Sequence, residues 1–336
     1  MSNEGDLVSV IVPAFNAERT INETLLSVRS QTHQNLEIIV VDDGSTDRTY
    51  QYSSEHSRTD SRIRVVRQPN AGVAAARNRG IEEARADLIA PIDADDLWRP
   101  TKIARQLRAL RAAGSEVKLV YTWSALIDED SKVIDWGKDP VFAGDVLFAL
   151  SYGNFVGNGS TALMHKSVLK ELGGYDASLR ARQAQGCEDW SLFLQIAEGF
   201  HFAVVPDYLT GYRQARRAMS RDIEQMLRSD ALVRSETLAR HPEYLLQIKS
   251  GRHAYINWMF LRELEDGNWS ACFKLVRELV LKEDSRCPSA RSAAKCAIRI
   301  AARILSGRST MSLRGPPYLP FHSAIADRPS ARHVPV

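Results

Sequence analysis

The 336-residue sequence predicts a parallel, doubly wound α/β sheet, on two observations. Short apolar runs rich in β-branched residues recur at helix-sized intervals, and helical apolar spacing fills the stretches between them. The first run, Leu7 to Val12 (LVSVIV), is closed by Pro13 and reads as a strand buried on both faces. Leu36 to Val41 (LEIIVV), Ile63 to Val66 (IRVV) and Leu88 to Ile92 (LIAPI) follow. One helical pattern puts Ile21, Leu25 and Val28 on a face, and a second runs from Val73 to Ala86. A third, after the fourth strand, aligns Ile103, Leu107 and Leu110. In such sheets ligands bind beyond the carboxyl ends of the strands.

From Val117 the alternation loosens. Lys118 to Trp123 and Lys132 to Trp136 read as strands around the turn Asp128 to Ser131, and Ala162 to His165 as another. Asn154 to Ser160 (NFVGNGS) is glycine-rich, and Glu188 to Glu198 has helical spacing. After Ser220 the pattern is helical as far as Gly315, where a Pro-rich end begins.

With 44% hydrophobic and 25% charged residues, the chain is an ordinary globular protein, which excludes collagen, disordered tails and disulfide miniproteins. Its length fits one large domain plus an appendage, or two domains. A net charge of +3 is too balanced for a nucleic-acid binder. The charge is unevenly spread, however. Arg286, Arg291, Lys295, Arg299, Arg303, Arg308 and Arg314 occur between Ser285 and Ala326 without one acid. Cys187, Cys272, Cys287 and Cys296 show no C-x-x-C pairing, the N-terminus lacks a signal-peptide pattern, and no apolar run is long enough to span a membrane. A reducing cytosol with free thiols is the expectation.

Two acidic clusters carry the chemistry. Val40-Val41-Asp42-Asp43-Gly44-Ser45-Thr46-Asp47 ends the second strand in a carboxylate pair, where an acid can accept from a base N–H or a ribose hydroxyl, or serve as a turn and cap residue, as Asp47 would. Asp93-Ala94-Asp95-Asp96 follows the fourth strand, and its hard oxygens suit Mg2+ or Mn2+ shared with substrate phosphates.

The ordered set VSVIVPAFNAERTI, VVDDGSTD, NAGVAAARNRGI and DADD resembles the inverting family 2 glycosyltransferases of GT-A fold. Glu171 to Asp176 (ELGGYD), Glu188-Asp189-Trp190 and Tyr212-Arg213 extend the likeness to about residue 220. It implies an α/β, Rossmann-like nucleotide-diphospho-sugar transferase fold over residues 1–220, with a nucleotide-sugar half (7–116) and an acceptor half (117–220). A helical C-terminal extension (221–314) and a flexible tail (315–336) would follow. By the resemblance, Pro13, Ala14 and Glu18 line the nucleotide pocket, Asp43 bonds the base, and Asp93 sits near the ribose and donor sugar. Asp95 binds the metal, Mn2+ or Mg2+, with Asp96 the competing candidate. Gly72 lets the backbone approach the nucleotide, and Arg77 either supports the phosphates or makes a packing ion pair. Asp189 becomes the catalytic base, with Glu188 in support. His165 is a further candidate to reach the acceptor or phosphates. Gln195 and Ala215 depart from the family pattern, which often has Arg and His there.

The implied activity is metal-dependent, inverting transfer from a nucleotide diphosphate sugar, a UDP-sugar favoured, to a hydroxyl on a glycan or lipid-linked glycan in bacterial surface polysaccharide synthesis. Arg291, Lys295, Arg299 and Arg303 fall on one helical stripe opposite Ala297, Ile300, Ala301 and Ile304, a pattern suited to the anionic inner face of the cytoplasmic membrane. Packing on the catalytic domain is the other reading of that stripe. A nucleotide-binding scaffold subunit without turnover is one alternative function. A phosphoacceptor receiver module is another, but it needs an Asp after its third strand, where this chain has Arg67-Gln68-Pro69-Asn70.

Overall fold

A computed structural model describes residues 5–214 and 221–281. The basic stretch from Arg286 to Arg314, its amphipathic stripe, the 315 boundary, Cys287, Cys296 and Ala215 lie outside the described residues.

The chain opens as β1 (Val8–Ala14), α1 (Ile21–Arg29), β2 (Leu36–Asp42), α2 (Thr49–Thr59), β3 (Ile63–Arg67), α3 (Val73–Glu83) and β4 (Leu88–Pro91). All seven residues of β1 and of β2 are buried, as continuous apolar runs require. Their pleat divides them between two cores. Val8, Val10, Val12, Ile38 and Val40 face α1, while Ile11, Ile39 and Val41 face α3. These four strands are parallel in the order β3-β2-β1-β4, so their carboxyl ends form one edge.

The second half is built differently. After β5 (Leu97–Trp98) and α4 (Lys102–Ala112) come β6 (Val117–Ile127), β7 (Val133–Asp135), α5 (Leu147–Tyr152), β8 (Ala162–His165), α6 (Lys166–Glu171), α7 (Ser178–Ala181), α8 (Glu188–Ala197) and β9 (His201–Arg213). Strand β8 inserts antiparallel between β4 and β6. The parallel arrangement expected over the first four strands is present, and beyond it the sheet is mixed, nine strands in the order β3-β2-β1-β4-β8-β6-β9-β5 with β7 on β6. β8 follows β7 and α5 in the chain and enters through the turn at residues 159–161 running against both its neighbours, a pairing between distant segments. Strand β9 pairs with β6 over its whole length, with a register shift around Pro206.

Helices α9 (Ile223–Arg240), α10 (Leu245–Glu265) and α11 (Trp269–Leu281) complete the described chain. Val233, Ile256, Met259, Phe260, Cys272 and Leu275 share one core with Leu150, Trp190 and Phe193, so α9 to α11 and the segment 117–213 bury a common apolar mass. Among the described residues no helix is long and apolar enough to cross a membrane, and Cys187 and Cys272 are buried free thiols.

Helix α10 lies so close to the end of α5 that a Cβ at Gly251 would fall inside the carbonyl oxygen of Tyr152. Backbone cannot yield there as a side chain does. Gly251→Ala is expected to cost about 1–3 kcal/mol or more, read as a lowered urea midpoint at unchanged slope.

Candidate active site

The loops after β1 and β2 latch together. Asn16, in the left-handed region at φ 50°, donates its N–H to Ser45 Oγ and accepts at Oδ1 from Thr46 N–H. Ala17 N–H donates to Thr49 Oγ1, Glu18 N–H to Asp47 Oδ2, and Arg48 N–H to Glu18 Oε2. Asp47 also accepts from Thr49 N–H at the start of α2. Pro13, Ala14 and Glu18 thus border a rim at the carboxyl ends of the parallel strands, where the sequence placed the nucleotide pocket. Asp43 shapes the next wall. Its carboxylate accepts from Gln68 Nε2 at 2.7 Å, Ala71 N–H at 2.9 Å and Gly72 N–H at 2.8 Å. Gly72, at φ 93°, starts α3 in a conformation that favours glycine, with Arg180 and Gln185 packed over it.

At the end of β4 the three acids diverge. Asp93 is half-buried, donates its N–H to Ser160 Oγ, and accepts from Arg77 Nη2 at 2.6 Å. Asp95 has no side-chain hydrogen bond from another described residue, and burial together with Asp93 pushes its carboxyl up to about 6. Asp96 turns inward with no exposed surface. It accepts from Asn158 Nδ2, Ser160 Oγ and Arg213 N–H, and burial holds its carboxyl well above the usual range. The candidacy of Asp96 as a metal ligand is corrected on that ground: the carboxylate is spent inside the fold and has no face toward solvent.

Arg77 is the centre of the arrangement. Only 3% exposed, it reaches Asp93 through Nη2 and lies 3.0 Å from Asp189 Oδ1 through Nη1, with the ring of Tyr175 beneath its guanidinium. Burial opposes its charge, but Asp189 and Asp93 outweigh it and hold the group charged. Of the two readings of Arg77, the ion pair is the arrangement present here. Asp189 sits in the first turn of α8, accepts from Gly159 N–H at 3.2 Å, and is pushed up to about 6 by burial, against the opposing pull of Arg77. Glu188 Oε2 accepts from Gly186 N–H at 2.7 Å, and burial raises its carboxyl too.

His165 is corrected as well. It pairs with Leu88 at the beginning of β4, whereas the acids follow the end of that strand. Antiparallel β8 carries it away from the site.

Four residues that no assignment singled out complete the site. Asn158, Gly159 and Ser160 come from the glycine-rich stretch. A Cβ at Gly159 would lie 2.8 Å from Asp189 Oδ1 and 3.1 Å from Arg77 Nη2, so only glycine leaves room for the pair. Arg213, the end of β9, donates from Nε to Asp95 O, from Nη1 to Asp128 O and Glu129 O, and from Nη2 to Glu23 Oε2 and Ser131 Oγ. Gln195 contacts Ser191 one turn back on α8.

A parallel strand edge followed by an Asp-x-Asp pair and faced by a carboxylate at a helix start has the architecture of the GT-A sugar transferases. The family model "Glycosyl transferase family 2" matches residues 9–173 of the chain. It is 41% identical over 133 residues to the putative glycosyltransferase EpsH of Bacillus subtilis, covering 39% of this chain and 38% of that protein. To the putative teichuronic acid biosynthesis glycosyltransferase TuaG of B. subtilis it is 37% identical over 136 residues, covering 40% and 53%. An uncharacterized glycosyltransferase of Haemophilus influenzae is 31% identical over 215 residues, covering 62% and 65%. The chain thus spans 38 to 65% of these relatives. Among solved structures, S. aureus TarS 1–349 in complex with UDP-GlcNAc superposes with a TM-score of 0.60 at 17% identity, over 90% of this chain and 93% of that one. The mannosyltransferase PcManGT of Pyrobaculum calidifontis, in complex with GDP-Man and Mn2+, gives 0.50 at 18%, over 90% and 88%.

Behind the turn holding Ser160, Lys102 is fully buried, donates to Gln106 Oε1, and lies 4.1 Å from the Trp98 ring centroid. Burial lowers its amine well below the ordinary 10.5. Between that lowered value and 10.5 the unfolded chain binds a proton that the folded chain does not, so this residue makes stability rise with pH. Lys102→Met should remove the rise. Urea midpoints at pH 7 and pH 9 should show the wild type gaining on the variant by up to about 1.4 kcal/mol per pH unit.

Proposed function

We propose that the protein transfers a sugar from a nucleotide diphosphate sugar, a UDP-sugar favoured, to a hydroxyl of a glycan or lipid-linked glycan, with inversion and with Mn2+ or Mg2+ as cofactor. The observation that carries this reading is Arg77, which ties Asp93 at the donor strand edge to Asp189 on the facing helix. The nucleotide would rest on the rim of Pro13, Ala14 and Glu18, with Asp43 at the base and Asp93 near the ribose.

Asp95 fits a hard divalent cation: it is an oxygen ligand without a competing side-chain bond among the described residues. Those residues contain no cluster of three or more His, Cys, Asp or Glu ligands, which accords with an ion completed by substrate phosphates and water. Bound there, such a cation neutralises charge on the departing diphosphate.

Asp189 then takes the proton of the acceptor hydroxyl as that oxygen attacks the anomeric carbon. Attack from the face opposite the leaving diphosphate is a single displacement and inverts the centre. Arg77 holds the carboxylate in place, and its charge keeps part of Asp189 ionised despite burial. TuaG, named for teichuronic acid biosynthesis, supports a role in surface polysaccharide synthesis. The catalytic region is assigned to residues 1–220. The basic segment after Ser285 is assigned to peripheral contact with the anionic inner face of the cytoplasmic membrane, which raised salt should release from acidic vesicles.

Asp95→Ala should abolish EDTA-sensitive binding of UDP in calorimetry. Retention of that binding would place the ion elsewhere. Asp189→Asn should keep donor affinity and lose about 10²- to 10⁴-fold in turnover. In the wild type, turnover should fall as pH drops through about 6, where Asp189 becomes protonated. A rate flat from pH 5 to pH 8 (roughly the range that brackets this titration) would remove Asp189 as the base.

A further inference from the structure

Helix α9 lies beyond the family-matched residues 9–173, yet it carries an unusual face. Ser229, Asp230, Arg234 and Thr237 are each 4% exposed or less, interleaved with Met226 and Val233. A helix that only covered a core would do so with apolar side chains. Exchanging a buried ion pair for apolar residues of like volume is often neutral or stabilising, so stability alone does not account for this one.

What the face touches is the turn that presents the catalytic carboxylate. Ser229 Oγ accepts the N–H of Cys187, the residue immediately before α8, at 3.1 Å. Met226 fills the place where a Cβ at Gly186 would fall. Asp230 accepts from Arg234 Nε at 2.9 Å and pairs with Arg252 at 2.7 Å. Arg234, held by Asp230, lies over the ring of Trp190 at 4.7 Å and donates to the carbonyls of Tyr152 and Ile248. Gly186, Cys187 and Trp190 flank Glu188 and Asp189 on both sides.

We propose that α9 is a working part of the active site, with Ser229 and Arg234 as positioning residues that hold the 186–190 turn so that Asp189 faces the crevice. The inference rests on Asp189 being the base. Ser229 fixes the start of α8 through one buried N–H, and Arg234 fixes the next residue's indole. Loosening either lets the carboxylate drift, and a misplacement of about 1 Å costs on the order of 10²-fold in rate. Neither residue touches the nucleotide rim, so donor binding is untouched.

The test uses the full chain with Ser229→Ala, Arg234→Met and Asp189→Asn, each measured for kcat, donor KM, UDP affinity by calorimetry, and Tm. Ser229→Ala and Arg234→Met are expected to lower kcat about 10- to 100-fold while donor KM and UDP affinity stay within about twofold. Wild-type kcat in Ser229→Ala, with Asp189→Asn inactive, overturns the inference and leaves the base assignment standing. Loss of UDP affinity in step with kcat overturns it too, because the helix would then be a general support of the fold. Near-normal turnover by Asp189→Asn overturns the reading of the base itself. Should Arg234→Met fail to fold, Ser229→Ala, which deletes one oxygen, decides the matter.

Discussion

The buried guanidinium of Arg77 is the constraint on which the site depends. An arginine taken out of water is tolerated only when its charge is answered, and here two carboxylates from different halves of the chain answer it through Nη1 and Nη2, while Nε is left without a hydrogen-bond partner. That requirement fixes three elements against one another: α3, which carries the arginine, the end of β4, and the first turn of α8. It also explains neighbours that are otherwise arbitrary. Residue 159 is glycine because a methyl group would enter the ion pair, and Tyr175 packs its ring under the planar cation.

A second polar centre supports the first. Asp96 and Arg213 tie the acid loop to the end of β9 and to the turn at Asp128 and Glu129, while Ser160 bonds both Asp93 and Asp96. Each half-satisfied group in such a network would be costly, and nearly every donor here finds an acceptor. The order of the three acids follows from this division of labour. One is turned to the arginine, one stays open toward the crevice, and one is consumed by the fold.

Much of this was legible in the residues. The four parallel strands are short, mostly apolar runs, and Asp43, Asp93, Asp95 and Asp189 lie at element ends where the pattern placed them. Other parts were hidden for physical reasons. Helix α2 (TYQYSSEHSRT) is largely polar and shows no apolar stripe, because it packs mainly through Thr49 and Ser53. Strand β9 contains Pro206 and a register shift that break its alternation. The inward turn of Asp96 and the direction of β8 arise from pairings between distant segments, which local spacing does not encode. His165 was misplaced for that reason, and Arg77 gave no sign of which acids it would meet.

The antiparallel insertion of β8 has a consequence for the order in which the protein takes shape as it leaves the ribosome. Strands β1 to β4 pair through helical crossovers within the first 91 residues and can form from the first stretch of emerging chain. The site itself closes only with segments made later: 67 residues separate Asp93 from Ser160, 117 separate Asp96 from Arg213, and 190 separate Glu23 from Arg213. Long-range closures of this kind are slow to form. Until β9 has been synthesised, Asp96 lacks the Arg213 N–H it accepts from, and the nascent sheet stands with a buried-type acid in water. A growing chain thus gains its acid loop geometry only after nearly two-thirds of its length has been made.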